Sequence, residues 1–321
     1  MGKIACMTQD HNKADTRDHG GGIDAAIAQY GGTRNDWIDL STGINPMPYP
    51  LPSFQNYHWS QLPDSTAFDA FEAAAREFWQ VPENATIIPA SGASAIIAML
   101  PSVLMGGTVV IPEPTYNEHE AAYLANGWAV ADNGDVKTIV HPNNPDGYLY
   151  SAADLTAQTC VIDESFCDVC PEHSMISHAI DDGHLIIKSF GKFWGLAGMR
   201  LGAVITPKSF APALRDRIGP WAVSGSALYT GTRALQDAQW AIDTRQRLAE
   251  DARKLDGIML NKGVKTLGGT TLFRLYHVDN ALQWYDRFAK HHILTRVFPY
   301  SQHFLRLGIP AHHQWQRVVR V

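Results

Sequence analysis

The sequence predicts an α/β protein whose larger domain is built on a mostly parallel sheet. Between residues 85 and 206, six short apolar runs end in polar or glycine-rich turns, and helical segments follow several of them. This alternation is typical of a parallel sheet covered by helices on both faces. The 321 residues exceed what one hydrophobic core usually supports, which leaves room for a second, smaller domain.

The predicted strands of this sheet are taken from the apolar runs in chain order. They cover residues 85–89, 108–111, 137–140, 159–162, 184–188 and 201–206. In open α/β sheets, ligands bind beyond the carboxyl ends of the strands. We therefore expect the polar residues that follow these runs to carry the chemistry.

The segment before the first strand combines an extended connection with a helix. Five prolines lie between residues 43 and 63, which favours an extended chain there. Phe68, Phe71 and Phe78 then recur at helical spacing and indicate an amphipathic helix over residues 65–80.

The C-terminal part predicts a smaller α+β unit, with which the N-terminal segment is expected to pack. Helices are predicted at 224–256 and 281–290, and strands at 270–276 and 304–307. The expected domain division is a flexible arm at 1–18, a large domain at 50–235, and a small domain formed by 19–49 and 236–321.

Composition argues against several classes of protein. The net charge is −6 and no long basic stripe exists, so a nucleic-acid partner is not expected. No apolar run is long enough to span a membrane, and the polar N-terminus lacks the core of a signal peptide, so we expect a cytoplasmic location. No GxGxxG turn follows the first predicted strand, which argues against a dinucleotide-binding dehydrogenase.

The run KSFGKFWGLAGMR, from Lys188 to Arg200, resembles the lysine signature of class I/II aminotransferases. Those enzymes have a serine three residues before the lysine and an arginine eight residues after it. Ser189 and Arg200 have these spacings from Lys192. The resemblance implies a transferase of fold type I in which Lys192 holds pyridoxal phosphate (PLP) as a Schiff base. A lysine amine can condense with the PLP aldehyde. Ser189 and Arg200 can bind the cofactor phosphate by charge-assisted hydrogen bonds.

Further elements of that family follow in the family's order. The resemblance assigns a glycine turn to the cofactor phosphate, an aromatic residue to the ring face, an asparagine to the phenolic oxygen and a carboxylate to the pyridine nitrogen. The matching residues are Ser91-Gly92-Ala93, Tyr116, Asn144 and Asp163. Of the two adjacent carboxylates, Asp163 rather than Glu164 is the predicted partner, and it would keep the ring protonated as an electron sink. Each feature alone would also fit an ordinary turn or a buried structural residue, and their joint order indicates the family.

Two N-terminal segments narrow the resemblance. The stretch from His19 to Gly22 and the segment from Trp37 to Pro46 are similar to the opening of threonine-phosphate decarboxylases of cobalamin biosynthesis. That group is related to histidinol-phosphate aminotransferases. It implies a homodimer that converts L-threonine O-3-phosphate to (R)-1-amino-2-propanol O-2-phosphate. Aminotransfer on a phosphorylated substrate such as histidinol phosphate uses the same residues and stays open, as does a non-catalytic ligand-binding relative.

The implied substrate carries a carboxylate and a distal phosphate, so two anion sites are expected. Arg306 matches the family's carboxylate-binding arginine. An arginine suits this role because its guanidinium can bind a carboxylate through two nitrogens. Arg296 and His19 match phosphate-binding elements. The full set of predicted substrate contacts is His19, Gly20, Asn45, Asn144, Arg296 and Arg306. As alternatives, the two arginines could form strand-end salt bridges, and His19 could belong to the arm.

Two positions depart from the family pattern, and one motif falls outside it. Many relatives have a tyrosine where Phe166 stands, and the hydroxyl of that tyrosine tunes the cofactor oxygen. Phe166 cannot form a hydrogen bond to this oxygen, so we expect the imine to be more basic here. Leu62 stands where relatives have a tyrosine that reaches the neighbouring subunit's cofactor, and Tyr57 is a candidate replacement. Cys167 and Cys170 form a CxxC, but no second pair completes a zinc site. We interpret them as ordinary reduced thiols and expect no metal.

Overall fold

The computed structural model describes residues 18–180 and 183–321. Its helices are α1 (Ile23–Tyr30), α2 (Tyr57–Ser60), α3 (Ser65–Trp79), α4 (Ala93–Met99), α5 (Glu118–Ala125), α6 (Ala211–Ile218), α7 (Gly225–Leu235), α8 (Ala238–Asn261), α9 (Ala281–Ala289) and α10 (Trp315–Arg320). Its strands are β1 (Ile38–Asp39), β2 (Ala85–Ala90), β3 (Thr108–Val110), β4 (Ala129–Val130), β5 (Val136–Val140), β6 (Thr159–Asp163), β7 (Leu185–Ser189), β8 (Gly202–Pro207), β9 (Lys265–Gly269), β10 (Phe273–His277), β11 (Ile293–Leu294), β12 (Arg296–Phe298) and β13 (Ser301–Gly308). Residues 1–17 of the predicted arm lie outside the described residues. Among the described helices, none has the length and apolarity that crossing a membrane requires.

The large sheet has seven strands in the order β2-β8-β7-β6-β5-β3-β4. Strand β8 is antiparallel to both of its neighbours, and the remaining pairs are parallel. The prediction of a mostly parallel sheet is therefore confirmed. Each of the six predicted strands is present, with ends displaced by at most one residue. Strand β4 was not predicted, because its two residues are exposed and carry no burial pattern.

Hydrophobic cores cover both faces of this sheet. One core packs α3, α7 and α8 against it through residues such as Phe71, Leu228 and Leu248. The other lies under α4 and α6 and includes Ile96 and Leu214. Burial on both faces explains why the central strands are nearly continuous apolar runs rather than alternating ones.

The smaller sheet is antiparallel, with the order β12-β13-β10-β9. Strand β1, which belongs to the N-terminal segment, pairs with β11 of the C-terminal unit, with Ile38 opposite Ile293. The expected packing of the N-terminal segment against the C-terminal unit is therefore confirmed. The strand and helix predicted at 304–307 and 281–290 are present as β13 and α9. The exact domain boundaries stay a prediction.

A buried charge network lies behind the segment that contains Lys192. The ammonium of Lys188 lies 2.6 Å from the Glu164 carboxylate and 3.5 Å from that of Asp168. The indole N–H groups of Trp79 and Trp194 each donate to Asp168 at 3.0 Å. All three charged side chains are buried. Because Glu164 follows Asp163 and Trp194 follows Lys192 by two residues, the network ties the end of β6 to the lysine loop.

Replacing Lys188 by methionine is expected to lower the free energy of unfolding by about 3–5 kcal/mol, since it leaves two buried carboxylates without a counter-charge. Urea unfolding followed by circular dichroism measures this change. The matched control is Lys208→Met, an exposed lysine, for which we expect about 0.5 kcal/mol or less. Equal stability of the two variants would contradict the assignment.

Candidate active site

Two adjoining cavities open at the carboxyl ends of the central strands, where a ligand site is expected in a sheet of this type. The inner cavity has a volume of about 110 Å³ and the outer cavity about 610 Å³. Both are lined by Ser94, Tyr116, Asn144, Phe166 and Lys192. These five shared residues make the two cavities one continuous site.

The inner cavity brings most of the predicted cofactor residues together. Its walls include Ala93, Tyr116, Asn144, Asp163, Ser189, Lys192 and Arg200. They come from the turn after β2, the loops after β3 and β5, the end of β6, and the segment from β7 to β8. Residues separated by more than 100 positions in the sequence thus meet at one edge of the sheet.

Lys192 lies in the loop after β7, and its side chain reaches the wall shared by both cavities. Its carbonyl oxygen accepts hydrogen bonds from the backbone N–H groups of Asn45 and Gly195, at 3.0 and 3.1 Å, which fixes the loop. Its Nζ lies 5.3 Å from the centre of the Phe166 ring. Burial, and then the positive charge of Arg306, lower the pKa of Lys192 to about 8. A neutral amine, the form that attacks an aldehyde, is therefore accessible near neutral pH.

The rate at which apoenzyme regains the absorbance band of bound PLP is expected to rise with pH, with a midpoint at about 8, because the neutral amine of Lys192 is the nucleophile. Replacing Arg306 by glutamine removes a positive charge that lowers this pKa, so the midpoint should move to higher pH. Arg217→Gln, at an exposed position of α6, serves as the control and should leave it in place. A wild-type midpoint at about 10.4, the value of an exposed lysine, would contradict the assignment.

Asp163 is held in its ionised form at the end of β6. Burial alone would raise the pKa of this carboxyl, but hydrogen bonds from His119 and Ser165 outweigh it and lower the pKa. His119 Nε2 lies 3.0 Å from Oδ2, and the Ser165 N–H and hydroxyl donate to Oδ1 at 2.9 and 2.5 Å. A fixed carboxylate in the inner cavity suits a protonated pyridine nitrogen.

The part of the inner cavity beside Arg200 suits a phosphate group. Gly92 has φ +87°, and a Cβ at this position would lie 2.6 Å from Nη2 of Arg200. Arg200 itself adopts φ 55°, a conformation that few non-glycine residues adopt, and this brings its guanidinium against the turn. Ser189 and Ser94 add hydroxyl groups to the same cavity. The amine, the carboxylate and this cationic end together fit PLP.

The outer cavity contains two arginines on neighbouring strands. Arg296 of β12 and Arg306 of β13 are directly opposite each other in the antiparallel register. Like charges at such positions destabilise a sheet. Burial, and then the charge of Arg296, lower the pKa of Arg306 to about 9. The Asp18 carboxylate, 2.8 Å from Arg296, offsets part of this repulsion, and a substrate anion bound at Arg306 would offset more of it.

Arg306 has unused hydrogen-bonding capacity. Its Nη2 donates to the carbonyl of Ser41 at 2.6 Å, and its Nη1 donates to the side-chain oxygen of Asn144. Its Nε is buried and has no hydrogen-bond partner among the described residues. A buried donor without a partner costs free energy, so a ligand oxygen would stabilise this position.

The remaining predicted substrate residues line the outer cavity, with one exception. His19, Gly20 and Arg296 are part of its wall. Asn45 is not: its side chain is buried, donates to the Phe193 carbonyl at 2.8 Å and accepts from Arg247 at 2.9 Å. In this structure Asn45 thus anchors the chain beside Lys192, and its contact with substrate stays a prediction.

Ser91 also differs from the expectation. Its hydroxyl donates to the carbonyl of Ala222, and it lines neither cavity. Ser94, which follows Ala93 in the same predicted phosphate-binding turn, lines both of them. His119 was missed, because its contact with Asp163 joins residues 44 positions apart and leaves no local pattern. Four carboxylates of the outer cavity were missed as well: Asp18, Glu113, Glu118 and Glu120.

The CxxC cysteines lie beside the buried charge network. The ligand atoms of His141, Glu164 and Cys167 lie within 4.8 Å of one another. However, the ring of His141 bonds the carbonyl of His173, and Glu164 already pairs with Lys188. A hydrogen bond with Cys170, together with burial, raises the pKa of Cys167. A protonated thiol is a poor metal ligand, and the interpretation as ordinary thiols stays a prediction.

Comparisons with known proteins agree with this geometry. A sequence model of the family described as aminotransferase class I and II matches residues 129–320. The chain is 37% identical to a threonine-phosphate decarboxylase of Sinorhizobium sp, over 91% of this chain and 92% of that one. It is 34% identical to the threonine-phosphate decarboxylase of Pseudomonas aeruginosa, over 94% and 96%. The fold is similar to a histidinol-phosphate aminotransferase from Sinorhizobium meliloti in complex with pyridoxal-5'-phosphate, with a TM-score of 0.80, 15% identity and 98% of each chain covered.

Proposed function

The chain belongs to the aminotransferase class I and II family, and from this premise we propose that it decarboxylates L-threonine O-3-phosphate to (R)-1-amino-2-propanol O-2-phosphate. It is a PLP-dependent enzyme of fold type I, with Lys192 as the proposed attachment point. Two relatives are more than a third identical to this chain over nearly their full length. Both are named threonine-phosphate decarboxylase. We place the reaction in cobalamin biosynthesis, by the resemblance of the N-terminal segments.

The observation that carries the proposal is the pair of opposed arginines beside Lys192. A substrate with a carboxylate at one end and a phosphate at the other needs two cationic groups on the same side of the reactive amine. Arg306 and Arg296 lie opposite each other on neighbouring strands, and both line the cavity that Lys192 reaches. We assign Arg306 to the carboxylate and Arg296, with His19, to the phosphate. A salt-bridge role alone would not leave the buried Nε of Arg306 without a partner.

The proposed roles of the residues follow from where they lie. PLP, when bound, supplies an electron sink for the carbanion that remains after CO₂ leaves. Asp163 holds the proton on the ring nitrogen, and Arg306 orients the carboxylate so that the bond to it is the one that breaks. The ammonium of Lys192 then donates a proton to the carbon that has lost CO₂, which balances the reaction. Phe166 and Tyr116 present rings to the inner cavity and keep water from it.

The test uses purified enzyme saturated with PLP and supplied with L-threonine O-3-phosphate. We expect CO₂ and the amino-propanol phosphate in equal amounts, without any need for an added keto acid. Formation of a keto acid with transfer of the amino group would establish an aminotransferase instead. Absence of both products and of any spectral change on adding substrate would favour a non-catalytic, ligand-binding relative.

We further propose a homodimer. Its support is an exposed apolar segment between α1 and α3, in which Leu51, Trp59 and Leu62 are each more than 60% exposed. Tyr57 is 53% exposed and is therefore available to contact a neighbouring subunit. It remains the candidate to replace the tyrosine that relatives have at the position of Leu62. Analytical ultracentrifugation measures the mass, and a monomer at micromolar concentration would contradict the proposal. The cytoplasmic location stays a prediction.

A further inference from the structure

The guanidinium of Arg296 is occupied by Asp18, which lies at the start of the described chain. Its Nη1 donates to Oδ1 of Asp18 at 2.8 Å, and its Nη2 lies 2.8 Å from Oδ2. The same Nη2 donates to the main-chain carbonyl of Asp18 at 2.8 Å, and Asn117 donates to that carbonyl at 3.0 Å. One residue therefore engages both terminal nitrogens of Arg296.

This is the two-nitrogen geometry by which arginine binds carboxylates and phosphates. The side chain of Arg296 is only 12% exposed, which leaves little room for a second anion beside Asp18. Arg306 differs, because its terminal nitrogens donate to a carbonyl and to an amide oxygen, both uncharged. Of the two guanidiniums, only the one assigned to the substrate phosphate is thus neutralised by a carboxylate of the chain itself.

We infer that Asp18 is a resident anion, which the phosphate of the substrate displaces from Arg296, and that Asp18 thereby sets the anion selectivity of the outer cavity. The inference rests on the proposed assignment of Arg296 to the substrate phosphate. A phosphate dianion carries more charge than the carboxylate that it replaces. A substrate without a phosphate group leaves Asp18 in place.

The neighbouring chain permits this displacement. The side chain of Asp18 is 41% exposed, and exposed ion pairs are weak because solvent screens them. The residues just after Asp18 are anchored: the N–H of Gly21 donates to the Ser41 hydroxyl at 2.7 Å. At Gly20 a Cβ would lie 2.6 Å from the Ser41 carbonyl, so the backbone is held tightly there. Asp18 precedes this anchor and can move while the anchor stays.

The neighbouring histidine repeats the arrangement. His19 Nε2 lies 2.8 Å from the Glu118 carboxylate, and the His19 side chain is 42% exposed. Both proposed phosphate ligands thus contact carboxylates of the chain. At Arg296 an incoming phosphate therefore exchanges one anion for another.

The experiment measures binding of inorganic phosphate to the PLP-loaded enzyme by isothermal titration calorimetry. Asp18→Asn removes the resident charge and is expected to tighten phosphate binding about threefold to tenfold, and to lower KM for threonine phosphate with it. The control is Asp24→Asn, which removes the same charge from an exposed position in α1. Because solvent screens that charge, we expect a change below about twofold.

Phosphate binding by Asp18→Asn that is equal to or weaker than that of the wild type would overturn the inference, and weaker binding would show that Asp18 orients Arg296. A third variant, Arg296→Gln, separates this failure from failure of the proposed function. If Arg296→Gln loses phosphate binding while Asp18→Asn gains none, the assignment of Arg296 stands and only the inference falls. If Arg296→Gln binds phosphate as the wild type does, the phosphate assignment itself is wrong.

Discussion

Replacing Lys192 by alanine is expected to lower turnover of threonine phosphate by a factor on the order of 10⁴–10⁶, the size of effect seen when a covalent catalytic group is removed. The variant should also lack the absorbance band of the enzyme–cofactor bond, because no other lysine among the described residues lines either cavity. Lys188, the nearest lysine in sequence, is buried and held by Glu164, so it cannot replace Lys192. Absorbance spectroscopy and a CO₂ assay measure the two effects.

Two further variants separate the chemistry of Lys192 from its charge. Lys192→Arg keeps a positive charge but has no amine that condenses with an aldehyde, so we expect it to be as inactive as the alanine variant. Lys208→Ala, at an exposed position, should retain both activity and absorbance. An active Lys192→Arg enzyme with a normal absorbance band would show that the amine is not the attachment point.

The sheet could be predicted because strands that are buried on both faces appear in the sequence as runs of consecutive apolar residues. Strands β6 and β7 each contain a run of three apolar residues, and polar residues follow that run within the strand. The carboxyl-end rule predicts that the polar residues after these strands carry the chemistry, and the resemblance to the aminotransferases identifies Asp163 and Lys192 among them. Spacing within a single segment likewise joined Ser189 and Arg200 to Lys192.

The parts that were missed depend on contacts between distant segments. Asn45 lies beside a matched motif, yet its amide is used by Phe193 and Arg247, and no local pattern shows that. Strand β12 has three residues, which is too short to show a periodic pattern. The register that places Arg296 opposite Arg306 could therefore not be predicted from the sequence. The occupation of Arg296 by Asp18 joins residues 278 positions apart.

Replacing Asp163 by asparagine is expected to lower kcat on the order of 10²–10³-fold, because a neutral amide does not stabilise the positive charge that the ring nitrogen must carry. The amide side chain is nearly isosteric with the carboxylate, so the cofactor should stay bound to Lys192, and KM should change little. Asp216→Asn, on the exposed face of α6, is the control for loss of one negative charge. Loss of cofactor rather than of kcat would assign Asp163 to binding alone.

A second variant tests how the carboxylate is kept ionised. His119→Ala removes one of the hydrogen bonds that lower the pKa of Asp163, so this pKa should rise. Protonation of Asp163 would then lower kcat as the pH falls, whereas the wild type, with its lowered pKa, should show no such loss until a lower pH is reached. The pH profile of kcat distinguishes this role from a structural one, since a merely less stable enzyme would lose activity without moving the acidic limb. Because the carboxylate of Asp163 and Lys192 line the same inner cavity, Asp163→Asn and His119→Ala together determine whether the charge on Asp163 acts on the reaction.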